Sequence, residues 1–321
     1  MSKEVIIQTL DLTKYYGKSR GIEQLNLEIY KGEIFGLLGP NGAGKTTTCR
    51  LLLDLIFKTS GTAKIFNLDN HYHSTKIRQR TAYLPGELGL YQNKTARRNL
   101  QYLLGLYENH IPLRKIEELA EMFNLELDRK VKELSKGNKQ KIGIILALAP
   151  EVELLILDEP TSGLDPLITA EFYNILHEQQ EETGATVLLS SHLLGEVERV
   201  AHRVGMIRDG SIIEVATIQQ LKNMALKEIK IEFKTKEALQ QFSNKIPNQM
   251  VRPVILDETN SSFMIAREKL SKLLSLISQS EVIDVDVSSP ALEDIFLKYY
   301  ETSAPQMKSL IKTKKKPEAG I

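Results

Sequence analysis

The 321-residue sequence contains a single cysteine, Cys49, and no long hydrophobic run. One cysteine cannot form an internal disulfide framework, and we expect Cys49 to be a small buried side chain in a reducing compartment rather than a redox group. The longest apolar runs, such as Ile142 to Ala149, fall short of the ~18 residues that a membrane-spanning helix needs. Residues 1–4 lack the charged and then apolar layout of a secretory signal. We therefore expect a soluble cytoplasmic protein.

The sequence also lacks an excess of charge of either sign. Lys and Arg total 42 against 41 Asp and Glu, which gives a formal net charge of +1. Nucleic-acid binders usually carry a strong basic excess, so the balance argues against a nucleic-acid partner. The length and a hydrophobic content of 42% are typical of a globular protein with about two domains.

The most specific motif is a phosphate-binding loop, G-x-x-x-x-G-K-[ST], at residues 39–46. The apolar run Ile34 to Leu38 predicts a buried strand that enters the loop, and Thr47 to Phe57 predicts the helix that leaves it. Backbone N–H groups in such a loop bind phosphate, with Lys45 for the β- and γ-phosphates and the Thr46 hydroxyl for Mg²⁺. The predicted nucleotide-binding residues of the loop are Gly39, Pro40, Asn41, Gly42, Ala43, Gly44, Lys45, Thr46 and Thr47.

Two acids follow a second buried strand, Leu154 to Leu157. Ligands gather at the carboxyl ends of strands in open parallel sheets. We therefore predict that Asp158 holds the Mg²⁺ ion of the nucleotide. Glu159, directly after it, is predicted to orient and polarise the water that attacks the γ-phosphate.

The organisation of the chain predicts an α/β domain followed by a smaller α+β domain. Strand-like and helix-like segments alternate over residues 1–216, with a helical insertion at about 87–145. Residues 217–303 have a βαββαβ pattern, which predicts a ferredoxin-like accessory domain. Residues 304–321 are predicted to form a flexible basic tail. Individual predictions include helices at Thr95 to Tyr107, Leu113 to Phe123 and Ala291 to Tyr300, and a strand at Val251 to Asp257.

Further segments follow in an order that is typical of one family. They are LSKGN at residues 134–138, SGLD at 162–165, and His192 after LLSS at 188–191. From about residue 10 to residue 210 the chain thereby resembles the ATP-binding subunit of an ABC transporter. The resemblance implies a P-loop NTPase cassette with a mixed sheet core and a helical subdomain, with ATP and Mg²⁺ as cofactors.

The resemblance also implies roles for five residues outside the phosphate loop. Ser135 and Gly137 bind the γ-phosphate held by a second cassette, so that a dimer encloses two MgATP, and Asp165 belongs to the neighbouring D-loop. His192 contacts the γ-phosphate and the water, and Tyr16 stacks on adenine. Each has a structural alternative: a helix cap for Ser135, a structural histidine at 192, and strand-end packing for Tyr16.

The sequence departs from the family pattern in two places. Lys136 stands where glycine is usual and Asn138 where glutamine is usual, although Ser135 and Gly137 remain. In residues 83–87 (YLPGE), Gly86 occupies the place of a metal- and water-contacting glutamine. Either Glu87 replaces that glutamine as a metal ligand or the backbone binds the metal through water.

We expect an ATPase that drives a separate integral membrane permease, as a homodimer or heterodimer of cassettes bound to the inner face of the cell membrane. Residues 290–296 (PALEDIF) resemble the appendage of ABC-2-type exporters, which implies export of a drug, antibiotic, lipid or polysaccharide. The alternatives are an accessory or regulatory ATPase that does not power transport, and a soluble cassette acting on ribosomes or DNA.

Two basic segments are assigned no ligand. The run His71-Tyr72-His73 is predicted to be a solvated loop rather than a metal site, because no Cys or acidic cluster accompanies it. The lysines of the tail are predicted to be solvated, with contact to anionic lipid as the alternative.

Overall fold

The computed structural model describes residues 4–108, 111–224, 227–246, 254–265 and 269–288. The chain divides into two compact units, Met1–Ile218 and Gln219–Ile321. The predicted closing helix, the appendage motif at 290–296 and the basic tail lie outside the described residues.

The first unit contains two sheets. Its strands are β1 (Val5–Tyr16), β2 (Ser19–Tyr30), β3 (Ile34–Leu38), β4 (Ser60–Ile65), β5 (Leu68–Asp69), β6 (Thr81–Leu84), β7 (Leu154–Asp158), β8 (Thr186–Ser191), β9 (Arg203–Arg208) and β10 (Ser211–Thr217). Strands β2, β1, β4 and β5 form an antiparallel sheet in that order. In β2, Leu25, Leu27 and Ile29 are buried and Asn26 and Glu28 are exposed, as expected of an antiparallel sheet with one exposed face.

The second sheet has the order β10-β9-β3-β8-β7-β6. Neighbours from β9 to β6 are parallel, and β10 joins the edge antiparallel to β9. Every residue of β3, β7 and β8 is buried, because helices cover both faces of a parallel sheet. In the register, Leu38 lies opposite Ser191 and Asp158 opposite Ser190, so three central strands end at one edge.

The helices of this unit complete the predicted α/β architecture. They are α1 (Lys45–Leu52), α2 (Ser74–Gln79), α3 (Ala96–Leu104), α4 (Leu113–Met122), α5 (Lys136–Leu148), α6 (Pro166–Thr183) and α7 (Leu194–Val200), with a 3₁₀ turn at Val131–Glu133. A further helix, α8 (Ile218–Met224), begins at the last residue of this unit and continues into the second. Helix α1 contacts strands of both sheets, which fixes the loop that precedes it. Helix α5 packs against α3 and α4 through its apolar faces.

Two helix predictions were wrong at their ends. Helix α1 ends at Leu52 instead of Phe57, because Asp54 has a φ of 54° and the left-handed conformation stops a helix. Helix α3 ends at Leu104 instead of Tyr107, and Gly105 forms its C-cap. Several short elements, β5, α2 and β10, had not been predicted.

The second unit has the predicted βαββαβ order. Its elements are β11 (Lys227–Phe233), α9 (Lys236–Lys245), β12 (Val254–Ile255), β13 (Asn260–Ile265), α10 (Leu270–Ile277) and β14 (Val282–Ser288). The strands form an antiparallel sheet in the order β12-β13-β11-β14. The predicted strand to Asp257 is too long, because the Asp257 carboxylate accepts hydrogen bonds from the N–H groups of Thr259 and Asn260 and forms a turn.

Candidate nucleotide-binding site

The loop between β3 and α1 needs glycine at three positions. Gly42 and Gly44 have φ angles of 82° and 111°, a region that residues with a Cβ rarely adopt. At Gly39 a Cβ would lie 2.4 Å from the carbonyl oxygen of Ile207, so this glycine permits a close backbone approach. The loop therefore has the close-packed backbone of a phosphate cradle at the N-terminus of α1.

Lys45 opens α1, and its side chain is only 5% exposed. Its ammonium group donates to the carbonyl oxygens of Gly39 at 2.6 Å and Pro40 at 3.1 Å, and lies 3.0 Å from Oε1 of Glu159. The predicted phosphate-binding cation and the predicted water-orienting carboxylate are thus neighbours.

Asp158 ends β7 and is fully buried. Its Oδ1 accepts a 2.6 Å hydrogen bond from the hydroxyl of Ser190, a residue that the sequence did not point to. Its Oδ2 is buried without a hydrogen-bond donor among the described residues. A buried carboxylate oxygen without a protein donor is costly, and Mg²⁺ prefers oxygen ligands, so the site fits the predicted cation.

Glu159 has a φ of 51°, so the backbone turns sharply at the end of β7. The turn is stabilised because the Glu159 N–H donates to the Ser190 carbonyl oxygen at 3.2 Å and its hydroxyl at 3.1 Å. The Oε2 of Glu159 lies 2.6 Å from Nδ1 of His192, which follows β8. Strained backbone of this kind is frequent at functional sites, where it aims a side chain.

A pocket of about 290 Å³ opens beside this cluster. Its lining includes six residues of the phosphate loop, the predicted residues Glu159 and Tyr16, and also Arg20 and Gly21, which had not been predicted. The hairpin between β1 and β2 places Arg20 and Gly21 beside the phosphate loop. The only sign of this in the sequence is the alternation of apolar and polar residues over 19–30, which is typical of the second strand of a hairpin. The lining residues are Tyr16, Arg20, Gly21, Asn41, Gly42, Gly44, Lys45, Thr46, Thr47 and Glu159.

Other predicted residues lie outside the lining of this pocket. Ser135 is the N-cap of α5, where its Oγ accepts from the N–H of Asn138 at 3.2 Å. Asp165 caps α6 and accepts from the N–H groups of Leu167 and Ile168. A Cβ at Gly137 would lie 2.7 Å from the carbonyl oxygen of Gly163, so the two segments approach closely. Within the loop, Gly39, Pro40 and Ala43 are also outside the lining.

The departure at Gly86 lies directly beside Asp158. A Cβ on Gly86 would be 3.4 Å from Oδ2 of Asp158, so this glycine borders the unpartnered oxygen. Glu87 is exposed, and its role as a metal ligand stays a prediction.

The three residues of the segment 71–73 have different surroundings. His71 pairs with Asp54 at 3.1 Å and Tyr72 is exposed, whereas Nδ1 of His73 is buried without a hydrogen-bond partner among the described residues, so this nitrogen is not solvated as predicted. Among the described residues, no group of three or more His, Cys, Asp or Glu side chains is arranged to hold a metal ion. Cys49 is buried, and burial followed by the charge of Asp158 raises the pKa of its thiol.

Comparisons with known proteins agree with this geometry. Residues 22–162 match the ABC transporter family model. The chain is 35% identical to the bacitracin transport ATP-binding protein BcrA of Bacillus licheniformis, over 91% of this chain and 96% of that protein. The chain belongs to the ABC transporter family. It is therefore an ATP-binding, ATP-hydrolysing cassette.

Two further likenesses extend the comparison. The chain is 36% identical to the probable multidrug ABC transporter ATP-binding protein YbhF of Escherichia coli K12, over 68% of this chain and 38% of that protein. The dimeric post-hydrolysis structure of the ATP-binding cassette MJ0796, bound to ADP and Pi, matches with a TM-score of 0.61 and 25% identity, over 66% of this chain and 99% of that one. The predicted cassette fold is confirmed. In the described parts of the chain, no helix has the length and apolar composition to cross a bilayer.

Proposed function

We propose that this cassette binds MgATP, dimerises around two nucleotides and drives the export of a compound through a separate membrane permease. The observation that carries the ATPase part is the cluster of Lys45, Glu159 and His192 beside the buried Asp158. In this cluster the Glu159 carboxylate, proposed to orient the water, lies 3.0 Å from the Lys45 ammonium group, proposed to bind phosphate, and 2.6 Å from Nδ1 of His192.

Each residue has a distinct part in hydrolysis. Loop N–H groups and Lys45 hold the phosphates, and Tyr16 supplies an aromatic face for adenine. Thr46 and Asp158 are the proposed protein ligands of Mg²⁺, which neutralises charge on the phosphate oxygens when it is bound. Glu159 accepts a hydrogen bond from the attacking water and orients it, and His192 holds both Glu159 and the γ-phosphate.

The complete site is proposed to need a second cassette, as a homodimer or a heterodimer. Ser135 and Gly137 lie at the start of α5, where the backbone N–H groups of a helix N-terminus and the helix dipole favour an anion. They lie outside the pocket of their own chain, and the related MJ0796 cassette is dimeric in its solved structure. The signature segment of one chain, LSKGN at residues 134–138, is therefore proposed to bind the γ-phosphate in the pocket of the other.

The permease is proposed to dock on a groove of about 680 Å³ around residues 83–90 and residues 103–108, at the end of helix α3 and after it. The groove is largely apolar, and Leu106 at its rim is 71% exposed. Docking there places the cassette at the inner face of the cell membrane. The names of the relatives, bacitracin transport and probable multidrug transporter, support an antibiotic or drug as cargo, with a lipid or polysaccharide as the alternative.

The test of the ATPase assignment is Glu159→Gln. We expect the variant to bind MgATP with wild-type affinity, to hydrolyse it at least about 100-fold more slowly because the water loses its base, and to accumulate as a dimer. Binding is measured by equilibrium dialysis, turnover by phosphate release, and association by analytical ultracentrifugation.

The matched control is Glu178→Gln, which changes an exposed glutamate on α6 and leaves all three readouts unchanged. Wild-type turnover in Glu159→Gln contradicts the proposed role of Glu159. Normal turnover together with a strictly monomeric state contradicts the shared site.

A further inference from the structure

Glu196, on helix α7, joins the two segments that carry the catalytic pair. One carboxylate oxygen accepts a 2.8 Å hydrogen bond from the hydroxyl of Thr161, and the other accepts a 2.7 Å hydrogen bond from the hydroxyl of Ser191. Thr161 and Ser191 are buried, with 8% and 0% of their surface exposed. A single side chain therefore bridges the turn after β7 and the end of β8.

Both hydroxyl residues are close in sequence to a proposed catalytic group. Thr161 follows Glu159 by two residues, and Ser191 directly precedes His192. The carbonyl oxygen of Ser191 also accepts a 3.2 Å hydrogen bond from the N–H of Gly39, at the start of the phosphate loop. The Glu196 bridge thus fixes the spacing of the two segments that carry Glu159 and His192, while the phosphate loop is held to Ser191 by a separate backbone hydrogen bond.

The carboxylate of Glu196 is stabilised by two hydroxyl donors and by its position at the start of a helix. It lies in the first turn of α7, where the helix dipole favours an anion. Among the described residues it forms no ion pair with Lys or Arg, so the two hydroxyl donors are its main hydrogen-bond partners. Burial, and then the charge of Glu196, raise the pKa of the neighbouring Tyr173. Hydrogen bonds to a carboxylate in such a setting are stronger than neutral ones.

We infer that Glu196 is a positioning residue for ATP hydrolysis, which holds Glu159 and His192 at their 2.6 Å contact through Thr161 and Ser191. This inference rests on the proposed roles of Glu159 and His192. The hydrogen bonds of Glu196 go to Thr161 and Ser191 and not to the phosphate loop or Lys45, so we expect it to act on turnover and not on nucleotide affinity.

The first test is Glu196→Leu, which keeps the bulk of the side chain and removes both acceptors. We expect kcat to fall at least about tenfold, because Glu159 is then out of position for the water in most of the molecules. KM and the dissociation constant of MgADP stay within about twofold, since the phosphate loop and its lysine are untouched. Glu178→Leu, on the exposed face of α6, is the matched control and retains the wild-type kcat.

Two gentler variants keep the test decisive if Glu196→Leu does not fold. Glu196→Gln retains one acceptor and is expected to recover most of the lost kcat. Thr161→Val removes one donor at constant shape, and its kcat is expected between those of wild type and Glu196→Leu. In both, the ¹⁵N resonance of His192 Nδ1 is expected to move toward its position in Glu159→Gln, which reports directly on the contact.

The His192→Ala background separates positioning from general damage. There, Glu196→Leu is expected to lower kcat much less than in the wild type, because the contact that it supports is already lost. An equal fold-change in both backgrounds, or wild-type kcat in Glu196→Leu, overturns the inference. If Glu159→Gln and His192→Ala themselves retain wild-type kcat, the proposed function fails instead.

Discussion

At the scale of single residues, the site depends on the close approach of one backbone segment to another as much as on charged side chains. Gly137 is the clearest case, because its missing side chain lets α5 reach the carbonyl oxygen of Gly163. A Cβ at 2.7 Å from that oxygen is far inside normal contact, and the obstacle is backbone that cannot rotate away. The signature segment and the D-loop are therefore held together by a position that only glycine fits.

Gly137→Ala is expected to destabilise the chain by about 1–3 kcal/mol, as overpacking does in a close contact. The free energy of unfolding in urea measures the effect. Gly89→Ala is the control, since a Cβ there meets nothing within 4 Å, and its effect is expected within about 0.5 kcal/mol. Equal stability of the two variants contradicts the tight approach of Gly137 to Gly163.

Sequence motifs found the charged members of the site and missed the groups that hold them. Lys45, Asp158, Glu159 and His192 follow buried strands in recognisable patterns, and the structure brings them together at one sheet edge. Ser190, Arg20 and Glu196 could not be predicted in the same way. Their positions depend on strand register, on a hairpin and on a helix that returns to the site, which are long-range features.

At the scale of elements, buried strands were the most predictable part of the fold. The bounds of β3 agree with its apolar run, and β7 extends the predicted run Leu154 to Leu157 by Asp158 alone, because a strand covered on both faces has no polar interruption. Helix ends were less predictable, since apolar spacing continued past Leu52 although the backbone at Asp54 turned left-handed. The two-residue strand β5 and the six-residue helix α2 are too short to show a period.

The groove formed by residues 83–90 and 103–108 leads to a prediction at this scale. Leu106→Glu is expected to release the cassette from membranes of the native cells, because a buried charge in an apolar contact is costly. Its ATPase activity in solution stays within about twofold, since Leu106 is absent from the nucleotide pocket. Co-sedimentation with membranes, followed by immunoblotting, measures the release.

Leu10→Glu provides the control, because Leu10 is also exposed (55%) but lies on β1, in the antiparallel sheet. Undiminished membrane retention of Leu106→Glu contradicts this docking surface. A cassette that is retained on membranes but whose Glu159→Gln variant leaves export intact supports the alternative of a regulatory ATPase.

At the scale of the whole molecule, the described residues form a hydrophobic core in each of the two units. One core of the first unit contains residues of its two sheets and of α1, and it supports the phosphate loop. The core of the second unit lies between the sheet β12-β13-β11-β14 and helices α9 and α10, where the rings of Phe233 and Phe263 flank Phe242 with centroids 5.1 and 5.8 Å away. Each unit has its own core, so each is expected to unfold cooperatively by itself.

We therefore expect two thermal unfolding transitions, and we expect bound nucleotide to raise the midpoint temperature of only one of them. MgADP at 100 times its dissociation constant stabilises a binding unit by about 2.7 kcal/mol, and all the proposed nucleotide ligands lie in Met1–Ile218. Phe242→Ala removes a ring that is 1% exposed. It is expected to lower the free energy of unfolding of the second unit alone, by about 3–5 kcal/mol. Differential scanning calorimetry with and without MgADP resolves the two. A single transition that shifts with both the ligand and the substitution would show that the second unit is energetically part of the ATPase, and would make its core a determinant of nucleotide binding.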